Sequence, residues 1–287
     1  MPAQSHERLV IADDLAGALA ALAERGTEGA PLAGGTWIMR APIRGETHLP
    51  FYVGIGAIPE LNAVDITEDE IRIGACVTHE RLAAALAGIR QCQGLSIAAG
   101  SAANPSIRQM ATVGGNLCAA DFAASDLAPA LLSLDAAVEL GGPGGMQRLA
   151  IGSFLERRRT LPAGTLLTAV VIARQPMSTA HIRLPLRKAG DYPAAIVSMA
   201  ASLGADDTVD DVRIAVGSVE ATARRWTQLE DQLGGRKLDP ETAHHFAAAA
   251  SASFTGRDSV ESPAWYRVQV LPALVRRAAR AVLAAAH

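Results

Sequence analysis

Two glycine pairs are the residues of this chain best suited to holding an anion. One lies in Leu32-Ala33-Gly34-Gly35-Thr36-Trp37, the other in Ala111-Thr112-Val113-Gly114-Gly115-Asn116-Leu117. Paired glycines let the backbone turn through positive φ and approach a ligand closely. Successive N–H groups in such a turn form a concave anion nest, and an adjacent threonine hydroxyl adds a directional donor. Two nests facing each other would grip a pyrophosphate from both sides without a lysine. Taken alone, each pair also reads as an ordinary tight turn. Other signatures fail. Gly54-Ile55-Gly56-Ala57-Ile58-Pro59 has proline where a dinucleotide fingerprint needs its third glycine. No Gly-Lys-Ser/Thr triplet exists, and His79-Glu80 is followed by Arg-Leu-Ala, not by a second zinc-binding histidine. His244-His245 sits within a helical stretch, where a solvated or packed pair is the simpler reading. Cys76, Cys92 and Cys118 lack CxxC spacing, so a reduced compartment is expected, with no cluster or zinc held by this chain alone.

The elements that must position these residues alternate. Asp13 or Asp14 caps an opening helix with a Leu15, Leu19, Leu22 stripe. Residues 30–32 lead into the first glycine turn, 51–55 form a short apolar run, and 71–73 read as a strand. A helix is expected over 78–86 with Thr78 as its cap, compact turns over 96–120, and a helix over 126–134 that tolerates Pro129 in its first turn. Strands 137–140 and 147–151 face each other across a Gly-Gly-Pro-Gly-Gly hairpin. Strand 166–172 ends at Arg174-Gln175-Pro176, where polar residues mark a boundary. Beyond it come strands at 194–203 and 212–216, then helices at 222–233, 239–253 and 266–286. The pattern is α+β in at least two parts.

Composition narrows the function classes. Lys and Arg number 26 against 29 Asp and Glu, a net charge of -3, which argues against nucleic-acid binding. At 49% hydrophobic and 19% charged, the chain is globular. No apolar run approaches the ~18–20 residues of a membrane span. Acidic Asp13 and Asp14 precede the N-terminal apolar stretch where a signal peptide needs basic residues. A soluble, untargeted, cytoplasmic protein is expected.

The residues around the second glycine pair sharpen the reading. The run Asn104-Pro105-Ser106-Ile107-Arg108-Gln109-Met110-Ala111-Thr112-Val113-Gly114-Gly115-Asn116-Leu117, followed by Asp126-Leu127-Ala128-Pro129, resembles the signature of the FAD-binding (medium) subunits of molybdenum hydroxylases. That family includes the flavoprotein of carbon monoxide dehydrogenase and the flavin domain of xanthine dehydrogenase. Residues 32–36 are similar to its upstream glycine loop, Arg187-Lys188-Ala189-Gly190-Asp191-Tyr192-Pro193 to its Arg-Lys segment, and Ala215-Val216-Gly217-Ser218-Val219 to its C-terminal strand. The resemblance spans almost the whole chain in order. Gln109 replaces the usual Asn, and Trp37 a small or aliphatic residue.

The resemblance implies two α/β subdomains enclosing FAD, 1–60 and 61–176, plus a C-terminal domain, 177–287, with a three-stranded antiparallel sheet and helices. It implies that Leu32, Ala33, Gly34, Gly35, Thr36 and Trp37, with Thr112, Val113, Gly114, Gly115 and Asn116, form the pyrophosphate loops. Trp37 would act through its backbone N–H. Asp126 would face the ribose or adenosine side, Ile107 the flavin and Leu167 the adenine, with Lys188 and Tyr192 beside the isoalloxazine. Plainer roles stay open: Asp126 as a helix cap, Lys188 as a solvated strand-end lysine, Tyr192 as a boundary core residue, Cys118 as packing. The implied partners are a large molybdopterin subunit and a small [2Fe-2S] subunit, in a heterotrimer or a dimer of heterotrimers. The branch that reduces 4-hydroxybenzoyl-CoA carries an inserted four-cysteine loop; this chain has three cysteines and no such insertion, so FAD is expected as its only redox centre. The implied function is electron transfer from the clusters through FAD to an external acceptor. The alternatives are a stand-alone flavin oxidase, disfavoured because neither glycine loop holds a histidine, and a non-catalytic binding protein.

Overall fold

The computed structural model describes residues 8–186 and 192–287. Strands β1 (Leu9–Ile11), β2 (Gly29–Leu32) and β3 (Phe51–Gly54) form a small parallel sheet in the order β1-β3-β2. The helix Leu15–Arg25 supplies the crossover: Asp14 caps it, its Oδ1 accepting from the Gly17 N–H at 2.7 Å, and Ala18 and Leu22 are buried against Phe51 and Val53. Strands β4 (Val64–Ile66), β5 (Glu70–Gly74), β6 (Ala137–Gly142), β7 (Gly145–Ala150) and β8 (Leu166–Ala173) form an antiparallel sheet ordered β4-β5-β8-β6-β7. One of its faces closes over the largest core, which includes Ile71, Leu82, Leu95, Leu117, Leu131 and Phe154.

The third sheet contains β9 (Ser178–Pro185), β10 (Pro193–Leu203), β11 (Val209–Gly217) and β12 (Arg224–Arg225), antiparallel in the order β12-β11-β10-β9. It has four strands where three were expected. Two local interactions explain the difference. Arg224 and Arg225 were read as helix, but Arg225 pairs with both oxygens of Glu230 at 2.6 and 2.7 Å, and Glu230 also accepts from the Ile214 N–H. Those bonds draw Arg224 and Arg225 onto the β11 edge, leaving the helix only Thr227–Leu233. Strand β9 is masked in sequence by polar residues that are buried because they bond internally. Thr179 Oγ1 donates to Gln91 O and accepts from the Gly94 N–H, and His181 contacts Ser198.

Strand β10 is buried along nearly its whole length because helices cover both faces: Leu271–Ala286 on one side and Leu127–Ser133 on the other. That double cover accounts for its continuous apolar run. The expected single helix over 266–286 is two, Ala264–Gln269 and Leu271–Ala286, broken at Val270 just before Pro272. Segment 96–120, expected as turns, is largely helical: Gln93–Ser101, Pro105–Arg108 and Val113–Cys118. Asn104 and Thr112 cap the last two, their side-chain oxygens accepting from the Ile107 and Gly115 N–H groups. No helix among the described residues is long and apolar enough to cross a membrane.

Candidate functional site

A cleft of about 700 Å3 runs between the three sheets. Its walls come from the loop after β2, the segment from Ala102 to Asp126, the start of β8, and Arg183 and Tyr192 of the C-terminal part. Of the residues singled out in sequence, Ala33, Gly34, Gly35, Thr36, Trp37, Ile107, Thr112, Gly114, Gly115, Asn116, Asp126, Leu167 and Tyr192 line it. Leu32 stands at the end of β2 behind the loop, and Val113 is buried in the core with its N–H donating to Val77 O. Lys188 lies outside the described residues.

The two glycine loops touch each other but are not alike. Gly34 packs so closely on the Met110 carbonyl that a Cβ there would lie 1.6 Å from its oxygen. Gly35 takes φ +69°, which lets the loop reverse before Thr36 and Trp37. Among the described residues, the N–H groups of Gly34, Gly35, Thr36 and Trp37 donate to no protein acceptor. This loop is an open nest. The second loop is mostly satisfied internally: Gly114 N donates to Ala75 O at 2.7 Å, Gly115 N to Thr112 Oγ1 at 3.1 Å, and Asn116 N to Thr112 O at 2.9 Å. The second pair therefore serves as a helix start that braces the first loop. The symmetrical two-sided grip suggested by the sequence is not what the backbone builds.

Asp126 begins the helix Leu127–Ser133 but makes no capping bond. Ser125 takes that role, its Oγ accepting from the Ala128 N–H at 3.1 Å and donating to Asn116 Oδ1. The Asp126 carboxylate is thus free of helix duties, and is held in the cleft wall by His181 Nε2 at 3.1 Å and Arg183 Nε at 3.1 Å. His181 Nδ1 lies 2.9 Å from Ser198 Oγ, which fixes the ring. A carboxylate only accepts, so Nε2 carries the proton toward Asp126.

One end of the cleft is aromatic. Phe122 sits between Trp37 and Tyr192, each ring centroid 5.2 Å from its own, and Arg44 stacks over Trp37 at 3.9 Å. Arg40 Nη1 donates to the Tyr192 hydroxyl at 3.2 Å, and Tyr192 remains 41% exposed. Trp37 thus brings its ring, not just its N–H, to this rim.

Sequence reasoning missed Phe122, Arg40, Arg183 and His79 on the cleft wall. His79 follows the cap Thr78, its N–H donating to Ala111 O at 2.9 Å. Burial lowers its pKa to about 4, so the ring is neutral. Burial likewise pushes Cys76 up to about 12, leaving it an unreactive thiol. No cluster of three or more potential metal ligands exists among the described residues.

Comparison with known proteins places this geometry. The family model described as the FAD binding domain in molybdopterin dehydrogenase matches residues 5–174, and the CO dehydrogenase flavoprotein C-terminal domain matches 180–282. The chain is 30% identical to the 6-hydroxypseudooxynicotine dehydrogenase complex subunit alpha of Paenarthrobacter nicotinovorans, over 93% of this chain and 91% of that one. It is 29% identical to the carbon monoxide dehydrogenase medium chain of Afipia carboxidovorans, over 92% of each. The crystal structure of the cyanide-inactivated Cu,Mo-CO dehydrogenase superposes with a TM-score of 0.85 at 26% identity, covering 96% of this chain and 97% of that one.

Proposed function

This chain belongs to the FAD-binding family of molybdopterin dehydrogenases, and from that premise we propose that it is the electron-transfer subunit of a molybdenum hydroxylase. It takes electrons from [2Fe-2S] clusters in a small partner, which receives them from a large molybdopterin subunit, and passes them to an external acceptor in the cytoplasm. The relatives' designations as medium chain and complex subunit support a heterotrimer, or a dimer of heterotrimers. The observation that carries the reading is the open row of N–H groups at residues 34–37, set along a cleft that ends in an aromatic rim. The cleft falls within the ~300–1,000 Å3 of ligand sites, and an unpartnered N–H row wants an anion.

FAD, when bound, supplies the redox chemistry. The chain's residues bind and orient it. Ala33, Gly34, Gly35, Thr36 and Trp37 hold the pyrophosphate, while Thr112, Gly114, Gly115 and Asn116 shape the opposite wall. Asp126, aimed by His181 and Arg183, accepts from ribose hydroxyls. Ile107 and Leu167 give apolar contacts, and Trp37, Phe122 and Tyr192 enclose the isoalloxazine end, with Lys188 assigned there from its motif. We divide the chain into functional units at residues 60 and 176, each unit built on one of the three sheets. The purified chain should release about one FAD on denaturation, with none left covalently attached. A colourless chain that gains no flavin signal from added FAD contradicts the assignment.

A further inference from the structure

We propose that His79 is a cofactor-binding residue whose imidazole hydrogen-bonds the sugar hydroxyls of the flavin nucleotide. The inference rests on the FAD reading above and extends it to a residue outside the glycine loops. His79 is only 3% exposed, and neither Nδ1 nor Nε2 has a hydrogen-bond partner. Among the described residues it is the one cleft-wall side chain that is both buried and left with orphaned polar atoms. Trp226 and Ser262, in the same condition, stand away from the cleft wall.

Buried polar groups are nearly always paired, because an orphaned one keeps its full desolvation cost. The backbone holds the residue in place: the Thr78 side chain caps the helix, and the His79 N–H is fixed on Ala111 O. The ring is therefore committed to the cleft wall. Its partner must come from the cleft. The neutral imidazole offers one N–H and one lone pair. A phosphate oxygen would use only the N–H, and a flavin ring face neither. A sugar hydroxyl both accepts and donates, and so matches what this side chain presents. Asp126, whose charge acts on His79, is the carboxylate already suited to sugar hydroxyls on the same wall.

The test is a fluorescence titration of the flavin-stripped full chain with FAD, comparing wild type, His79→Leu and His79→Gln, together with thermal unfolding of each apo form. His79→Leu should bind FAD about tenfold more weakly, the worth of one good buried hydrogen bond. His79→Gln should recover most of the affinity. Apo His79→Leu should unfold at the wild-type temperature or above it, because the substitution removes two orphaned nitrogens. A structural role for the ring predicts the reverse: a lower unfolding temperature and equal losses in both variants. Unchanged FAD affinity in His79→Leu overturns the assignment and leaves an ordered water as the ring's partner. Failure of the wild-type chain to bind FAD would overturn the flavin reading itself, and this inference with it.

Discussion

Gly34 shows what a single hydrogen atom in place of a side chain does here. Its Cα is pressed on the Met110 carbonyl, so Gly34→Ala must push the two loops apart. Overpacking of this kind costs ~1–3 kcal/mol, and the displaced loop should also lose FAD. Gly35→Ala is different in kind. The nearest atom to its Cβ would be Met39 Cγ at 3.6 Å, so the penalty is the φ +69° strain of ~1–2 kcal/mol without displaced packing. Urea denaturation and flavin content measured together separate the two; equal flavin loss in both variants would contradict the distinction. His79 gives a pH prediction. Its pKa falls from 6.5 to about 4 on folding, chiefly by burial, with Asp126 opposing the shift and Arg108 adding to it. A depressed folded pKa means that the unfolded chain binds the proton first. The neutral ring's contribution is therefore complete above pH 6.5 and lost as pH falls toward 4, to a maximum of ~3 kcal/mol. The apo wild type should lose more stability than apo His79→Leu between pH 7 and about 4.5. Parallel pH profiles for the two would contradict the burial argument.

At the scale of elements, the bond between the helix Leu127–Ser133 and strand β9 ties the FAD-binding part to the C-terminal sheet. It runs through Asp126 to His181 and Arg183, all with little or no exposure of the side chain. Asp126→Ala leaves the His181 Nε2–H buried without its acceptor and should cost ~3–5 kcal/mol, as broken buried pairs do. Asp126→Asn keeps an acceptor oxygen and should recover part of that. Equal destabilisation by both, measured by denaturant midpoint, would show that packing and not the bond holds the two parts together. Much at this scale was legible in the sequence. Asp14 and Thr78 cap helices where their residue types said they would, and the Gly-Gly-Pro-Gly-Gly hairpin forms with Gly142 opposite Gly145. What stayed hidden depends on partners far along the chain. Strand β9 looks polar until Gln91, Gly94 and Ser198 are seen to satisfy it, and β12 looks helical until Glu230 closes on Arg225. At the site, local motifs exposed both glycine loops, but only tertiary contacts reveal that Gly114 spends its N–H on Ala75. Phe122, Arg40 and His79 carry no local signal, since an isolated aromatic, arginine or histidine reads the same in a core or on a surface.

For the whole molecule, the proposed function puts the working end at the aromatic rim. Trp37, Phe122 and the exposed Tyr192 lie together there, and the adjoining turn leaves Met39 and Ile43 at 70% and 77% exposure. A carrier that receives electrons from another chain must keep one end of its cofactor near that chain, and the exposure of Tyr192, Met39 and Ile43 puts this rim at the surface. The proposed role is to relay electrons rather than to oxidise a substrate. Its most direct test is steady-state turnover of the reconstituted complex with and without this chain, using a substrate that reduces the complex. Without the chain, substrate should still reduce the clusters while transfer to the external acceptor collapses, and adding the FAD-loaded chain should restore it. The FAD-loaded chain alone should stay oxidised under the same substrate without oxygen. Full acceptor reduction by the complex lacking this chain, or reduction of the isolated chain by substrate, would contradict the account.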